Sequence, residues 1–149
     1  MFRGSQSAKV DEKGRLKLPS DFKKLVDAQN LTQFYITSMD GKIAEIWPLP
    51  EWEKRERQLN ELSTLDDAVQ TYLDWTSHYG SQVEIDNQAR VLLPQRLRED
   101  ANLGAEVEVV GKLTYLEVKN EESVKQHLAA NPMTSEHKKA LAAFFKQRV

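Results

Sequence analysis

The sequence predicts an α+β fold built from two copies of one strand-rich unit. Three observations carry this: a 14-residue stretch that recurs at an offset of 75, strand pairs punctuated by turn residues in each copy, and amphipathic helical segments between and after them. Residues 10–23 align with residues 85–98. Asp11/Asp86, Arg15/Arg90, Leu18/Leu93 and Pro19/Pro94 are identical, and Val10/Ile85, Gly14/Ala89, Leu16/Val91, Phe22/Leu97 and Lys23/Arg98 are alike. Nine matches in fourteen positions, one of them proline, make the chain two copies of one half. A looser echo follows, where Phe34-Tyr35-Ile36 and Gly41-Lys42-Ile43 are answered by Val107-Glu108-Val109-Val110 and Gly111-Lys112-Leu113.

In the first copy a strand runs up to Val10, a polar turn of four residues follows, and a second strand covers Leu16-Lys17-Leu18. Pro19 marks the start of a short helix, because a residue without an N–H leaves no donor unpaired in a first helical turn. Phe22, Leu25 and Val26 then share one helical face. Phe34-Tyr35-Ile36-Thr37 and Ile43-Ala44-Glu45-Ile46-Trp47 read as a strand pair joined at Asp40-Gly41. Residues 50–62, with Trp52, Leu59 and Leu62 among charges, and residues 65–75, with Leu65, Val69, Tyr72, Leu73 and Trp75, read as amphipathic helices broken near Ser63-Thr64. The second copy repeats the order, with a strand to Ile85, a second through Val91-Leu92-Leu93, and a helix after Pro94 carrying Leu97 and Ala101. Residues 123–130 form a short helix, Asn131-Pro132 interrupts it, and Thr134 or Ser135 caps a last one. The resulting organisation is a first repeat with its trailing helix over 1–62, a helical connector over 63–80, a second repeat over 81–130 and a helical tail over 131–149.

Composition excludes several functions. Apolar residues are 40% and charged residues 30% of 149, which places the chain among globular proteins rather than disordered ones. With no cysteine there is no disulfide framework, thiolate metal site or thiol nucleophile. The longest apolar run is short and the first seven residues lack the apolar stretch of a secretory signal, so the expected address is cytoplasmic, with no membrane partner. His78, His127 and His137 have no ligand-like spacing, Asp66-Asp67 suit a helix N-terminus better than acid–base chemistry, and no Gly-x-Ser-x-Gly or glycine-rich phosphate loop occurs. The expectation is therefore no enzyme, no metal, no cofactor and no small-molecule substrate.

The net charge of −2 conceals an uneven distribution. Over residues 3–24, Arg3, Lys9, Lys13, Arg15, Lys17, Lys23 and Lys24 outweigh Asp11, Glu12 and Asp21 by four. Residues 40–74 are net −5, so a basic end adjoins an acidic middle. The doubled Asp-x-x-x-Arg lies in this setting. Across a tight turn the carboxylate accepts backbone N–H groups, while the guanidinium projects from the returning strand, held by the Asp in a bidentate pair. As structure this is a turn clamp; as function, an Arg fixed on a hairpin reads guanine or phosphate, and a two-stranded ribbon fits the major groove. Lys9, Lys13 and Lys17 beside Arg15 favour the second reading for copy one. In copy two Gln88 and Leu92 replace Lys13 and Lys17, which makes it mainly structural, with Arg90 either a clamp or a weaker DNA contact.

Met1-Phe2-Arg3-Gly4, Asp11-Glu12-Lys13-Gly14-Arg15, Pro19, Phe22-Lys23, Trp47-Pro48-Leu49-Pro50-Glu51-Trp52 and residues 86–94 together resemble the bacterial MraZ transcriptional regulators over about residues 1–125. The resemblance implies a duplicated AbrB-like swapped-hairpin fold whose two halves close one small β-barrel flanked by helices. It further implies a ring-like homo-oligomer, association with the nucleoid, and binding to double-stranded DNA repeats upstream of an operon of division and cell-wall genes. The DNA-binding residues expected are Arg3, Lys9, Lys13, Arg15, Lys17 and Arg90, on turns shaped by Asp11, Gly14 and Asp86. The alternative is an antitoxin-like or scaffold protein that grips another protein with the same fold. Ala89 and Gln88 depart from the family's usual Gly and basic residue, and the stretch Trp75 to Ser81 is unlike the usual entry into the second copy.

The tail lies beyond the resemblance. Leu141, Phe144 and Phe145 fall within one turn, with Lys138, Lys139, Lys146 and Arg148 around them. Burying two adjacent phenylalanines favours packing on the chain's own domain as a final helix. The other reading docks the helix on a neighbouring subunit, its cations facing Glu51, Glu53 and Glu56.

Overall fold

The computed structural model describes residues 1–63 and 65–147. The chain is α+β, with a mostly antiparallel sheet and, among the described residues, six helices. The first half supplies β1 (Ser5–Lys9), β2 (Arg15–Lys17), α1 (Ser20–Ala28), β3 (Gln33–Thr37) and β4 (Ala44–Pro48). α2 (Leu49–Glu61) and α3 (Asp67–His78) follow. The second half supplies β5 (Ser81–Glu84), β6 (Arg90–Leu92), α4 (Gln95–Asp100), β7 (Glu106–Gly111) and β8 (Leu116–Asn120), and α5 (Glu121–Ala130) and α6 (Ser135–Lys146) form the tail. The expected break between α2 and α3 is present around Leu62 to Asp66, although Thr64 itself lies outside the described residues, as do Arg148 and Val149 of the tail. No described helix is long and apolar enough to cross a membrane.

Six strands form one sheet in the order β1-β7-β8-β4-β3-β5, and β2 and β6 pair as a separate two-stranded ribbon. Exchanging each strand for its counterpart, β1 for β5, β3 for β7 and β4 for β8, returns the same order reversed. Except for the β3–β4 and β7–β8 hairpins, every pairing joins one half to the other: β1 to β7, β5 to β3, β4 to β8 and β2 to β6. The backbone groups of each leading hairpin are thus satisfied by the other copy, which ties the two halves into one hydrogen-bonded unit.

Alternation along the strands sends one set of side chains inward. Leu16, Phe34, Ile36, Ile46, Val91, Val107, Val109, Leu116 and Val118 are fully buried and are joined by Phe22 and Val26 of α1 and Leu97 of α4. Pro19 and Pro94 stand one residue before their helices as N-caps, with their carbonyls accepting from Lys23 N–H and Arg98 N–H at 2.9 Å. Both helices end on an asparagine in the left-handed region, Asn30 and Asn102 at φ 53°. The following N–H groups, of Leu31 and Leu103, reach back to the carbonyls of Val26 and Arg98 at 3.0 and 2.9 Å, the Schellman closure.

The outer face of β3 and β4 carries an aromatic layer that seats α2 and α3. Trp52 of α2 stacks on Tyr35 at 4.6 Å and meets Trp47 edge-on at 5.4 Å, Trp47 stacks on Tyr115 at 4.3 Å, and the Arg55 guanidinium lies 5.1 Å over the Trp47 ring. Beneath it Glu45 is buried, accepting from Trp47 Nε1 at 2.8 Å, directly across the β4–β8 ladder from Glu117. Burial pushes the Glu45 carboxyl above its ordinary value, and Glu117 adds to the rise.

The tail does not follow the favoured expectation. Asn120 caps α5, and Thr134 rather than Ser135 caps α6 in a box with His137. Neither helix has a buried residue, and Phe144 and Phe145 stay 60% and 68% exposed. The amphipathic pattern that predicted a face for burial is there, but the chain's own domain does not cover it.

Candidate nucleic-acid interface

The two Asp-x-x-x-Arg turns share one construction. In the first, Gly14 N–H donates to the Asp11 carbonyl at 2.9 Å and Asp11 N–H to the Arg15 carbonyl at 2.9 Å. Asp11 Oδ1 accepts from the backbone N–H groups of Lys13 and Arg15 at 3.0 and 2.9 Å, and Oδ2 accepts from Arg15 Nε at 2.8 Å. In the second, Asp86 Oδ1 accepts from Gln88 and Arg90 N–H at 2.9 Å each, and Oδ2 from Arg90 Nε at 2.8 Å. The expected clamp is present, but it is not bidentate. Each carboxylate spends one oxygen on the turn and one on Nε, and among the described residues the terminal amino groups of Arg15 make no hydrogen bond, on a side chain that is 31% exposed.

The left-handed position differs between the copies for a physical reason. Gly14 has φ 86°, and a Cβ there would strike the Arg98 guanidinium, whose Nε donates to the Leu93 carbonyl at 3.1 Å. Ala89 holds φ 60° with its methyl buried, while Lys23, the counterpart of Arg98, turns to Asp27 at 2.6 Å. Arg98 therefore underpins the first turn, a role that its match to Lys23 did not reveal.

The ribbon brings the two turns together. Its register places Arg15 opposite Leu92, Leu16 opposite Val91 and Lys17 opposite Arg90. Leu16 and Val91 point into the core, so the other face presents Arg15, Lys17, Arg90 and Leu92. Arg90 Nη1 stands 3.9 Å from Asp11 Oδ2, linking the copies across the ribbon. Lys13 lies exposed in the turn and Lys9 at the adjoining end of β1, paired in register with Glu106. Arg3 is elsewhere. It sits at the opposite end of β1, next to the Phe2–Leu113 bridge and roughly 20 Å along the strand from Lys9. Leu92, the counterpart of Lys17 in the second copy, is 50% exposed among these cations.

Both turn carboxyls are held below the ordinary 3.8. For Asp11 the bond from Arg15 N–H is the largest cause, opposed by partial burial and reinforced by the Arg15 side chain and Lys13 N–H. For Asp86 burial is the largest influence and raises the value, but the bonds from Arg90 and Gln88 together outweigh it. A depressed folded value means stability that is present above 3.8 and lost as pH falls through the folded value. The Asp11→Asn/Asp86→Asn variant should therefore melt below wild type at neutral pH, with the gap closing in acid. Parallel melting curves across that range would show that the clamps do not carry the linkage.

A family model described as "MraZ protein, putative antitoxin-like" matches residues 1–74 and 80–144. The chain is 54% identical over 144 residues to the transcriptional regulator MraZ of Acidobacterium capsulatum, covering 97% of this chain and 99% of that protein. It is 44% identical to the protein of the same name in Koribacter versatilis, over 95% and 97% of the two chains, and 33% identical to that of Syntrophobacter fumaroxidans, over 85% and 84%.

Proposed function

Because this chain belongs to the MraZ family, we propose that it is a sequence-specific transcriptional regulator whose β2–β6 ribbon enters the major groove of double-stranded DNA. The observation that carries this reading is the ribbon face itself: Arg15, Lys17 and Arg90 share one face of a two-stranded element, with Arg15 oriented by Asp11 and its terminal amino groups without a hydrogen bond among the described residues. The two half-units close one small barrel beneath it. Arg15 reads a base edge, Lys9, Lys13 and Lys17 contact phosphates, Arg90 adds a weaker contact, and Arg3, at the other end of β1, contacts flanking DNA. Asp11, Gly14 and Asp86 shape the turns.

A protomer of net charge −2 with one basic face binds a single site weakly. Several protomers in a ring-like homo-oligomer, each engaging one of a set of direct repeats upstream of its own operon of division and cell-wall genes, convert weak contacts into avidity. Association with the nucleoid follows from the same contacts. The family description also favours a second reading, an antitoxin-like or scaffold protein that binds another protein. A salt titration of the mobility shift separates the two. Lys13→Ala/Lys17→Ala should weaken binding to every duplex and lower the slope of log affinity against log salt by about 0.9 per lost phosphate contact. An unchanged slope would remove the lysines from the DNA face, and no shift with any upstream fragment would favour the second reading.

A further inference from the structure

The tail and α3 are the two places among the described residues where a helix leaves an aromatic side chain exposed, and they differ in charge. On α6, Phe144 and Phe145 project beside Leu141, and with α5 the helix lines an apolar groove that includes Leu128, Met133 and Ala140. Lys138, Lys139 and Lys146 stand against the single acid Glu136 on this helix. On α3, Trp75 is 41% exposed and lines a shallow cleft with Asp74, His78 and Tyr79. This helix carries Asp67 and Asp74, with Asp66 as its cap and no lysine or arginine. Arg96, beside the cleft, is turned to the His78 carbonyl at 3.1 Å.

We propose that α6 of one protomer docks on the Trp75 cleft of α3 in a second copy of this chain, forming a head-to-tail junction between subunits. The proposal rests on the ring-like assembly argued above and names the surfaces that join it. Phe144 and Phe145 fill the cleft beside Trp75 and Tyr79, where aromatic pairs gain beyond their buried area. The α6 lysines meet Asp66, Asp67 and Asp74, which fixes register and excludes the reverse pairing. Docking of α6 on α6 would set three lysines against three, and α3 on α3 would set carboxylates against carboxylates. α2 offers acids but no exposed aromatic, since Trp52 is buried. Opposite surfaces on one chain make a heterologous contact, and such contacts close into rings when the rotation allows. Each subunit then makes two junctions, one through its tail and one through its cleft.

The test uses the full chain without DNA, so its outcome is independent of whether the ribbon binds DNA. Phe144→Ser/Phe145→Ser removes the tail contact and Trp75→Ala removes the cleft. Circular dichroism should show both variants folded, because all three side chains are surface-exposed. By light scattering each variant alone should be a monomer, and an equimolar mixture should give dimers and nothing larger, since one intact tail and one intact cleft remain per pair. If Trp75→Ala keeps the wild-type assembly while the tail variant loses it, the cleft is not the acceptor. The proposal is also overturned if the tail variant keeps wild-type mass or if the wild type is monomeric.

Discussion

Arg15→Ala is expected to abolish discrimination between the cognate repeat and unrelated DNA while leaving the protein folded. The variant retains the turn, because Asp11 Oδ1 still accepts from the Lys13 and Arg15 backbone N–H groups and only the bond to Nε is lost. A bidentate contact from Arg to guanine is worth about 1–3 kcal/mol of discrimination, and the loss recurs in every engaged subunit. Two engaged subunits already multiply a tenfold loss to about a hundredfold. Residual binding should match the affinity of wild type for random duplex and keep a steep salt dependence from Lys9, Lys13 and Lys17. Arg90→Ala should cost less, because Arg90 is drawn toward Asp11 as well as Asp86. Competition binding against random duplex measures both.

Shifting alternate repeats by half a helical turn, with each repeat intact, is expected to lower affinity by about two to four orders of magnitude, the range that linked binding supplies over a single contact. In the proposed ring, subunits would present their ribbons in a fixed direction, so successive repeats would have to face the same way, at a spacing of about 10 bp. Moving a repeat by half a turn places its major groove on the far side of the duplex. Affinity that follows the number of repeats but ignores their spacing would mean that subunits bind independently.

Much of the order of elements could be read from the chain. The repeat announced itself through Asp-x-x-x-Arg and its trailing proline, and the strands, the Asp40-Gly41 turn and the helices after Pro19 and Pro94 stand where their turn chemistry and periodicity put them. Such signals are local. What was not legible depends on partners distant in sequence: period-2 alternation tells which face of β1 is buried but not that its neighbour is β7, about a hundred residues away. The repeat also runs further than the aligned stretch, into Asn30-Leu31 and Asn102-Leu103, where the left-handed asparagines gave the missing signal. That Leu92 lies beside Arg15 on the open face follows from the register of the β2–β6 ribbon, which no local signal carries. The tail was misjudged for a related reason. A hydrophobic pair such as Phe144-Phe145 states that something covers it, and sequence alone does not say whether the cover comes from the same chain or another.

The ribbon's place on DNA can be located directly, because the chain has no cysteine of its own. A single cysteine at position 17, on the ribbon face, can carry an iron chelate that cleaves nearby DNA, and a cysteine in place of the exposed Glu53 on α2 is the control. Bound to an upstream fragment, the chelate at position 17 should cut once per repeat at a constant offset, and the chelate at position 53 should leave the repeats intact. Cleavage of the repeats from position 53 and none from position 17 would contradict the account, placing the helical face rather than the β2–β6 ribbon against DNA.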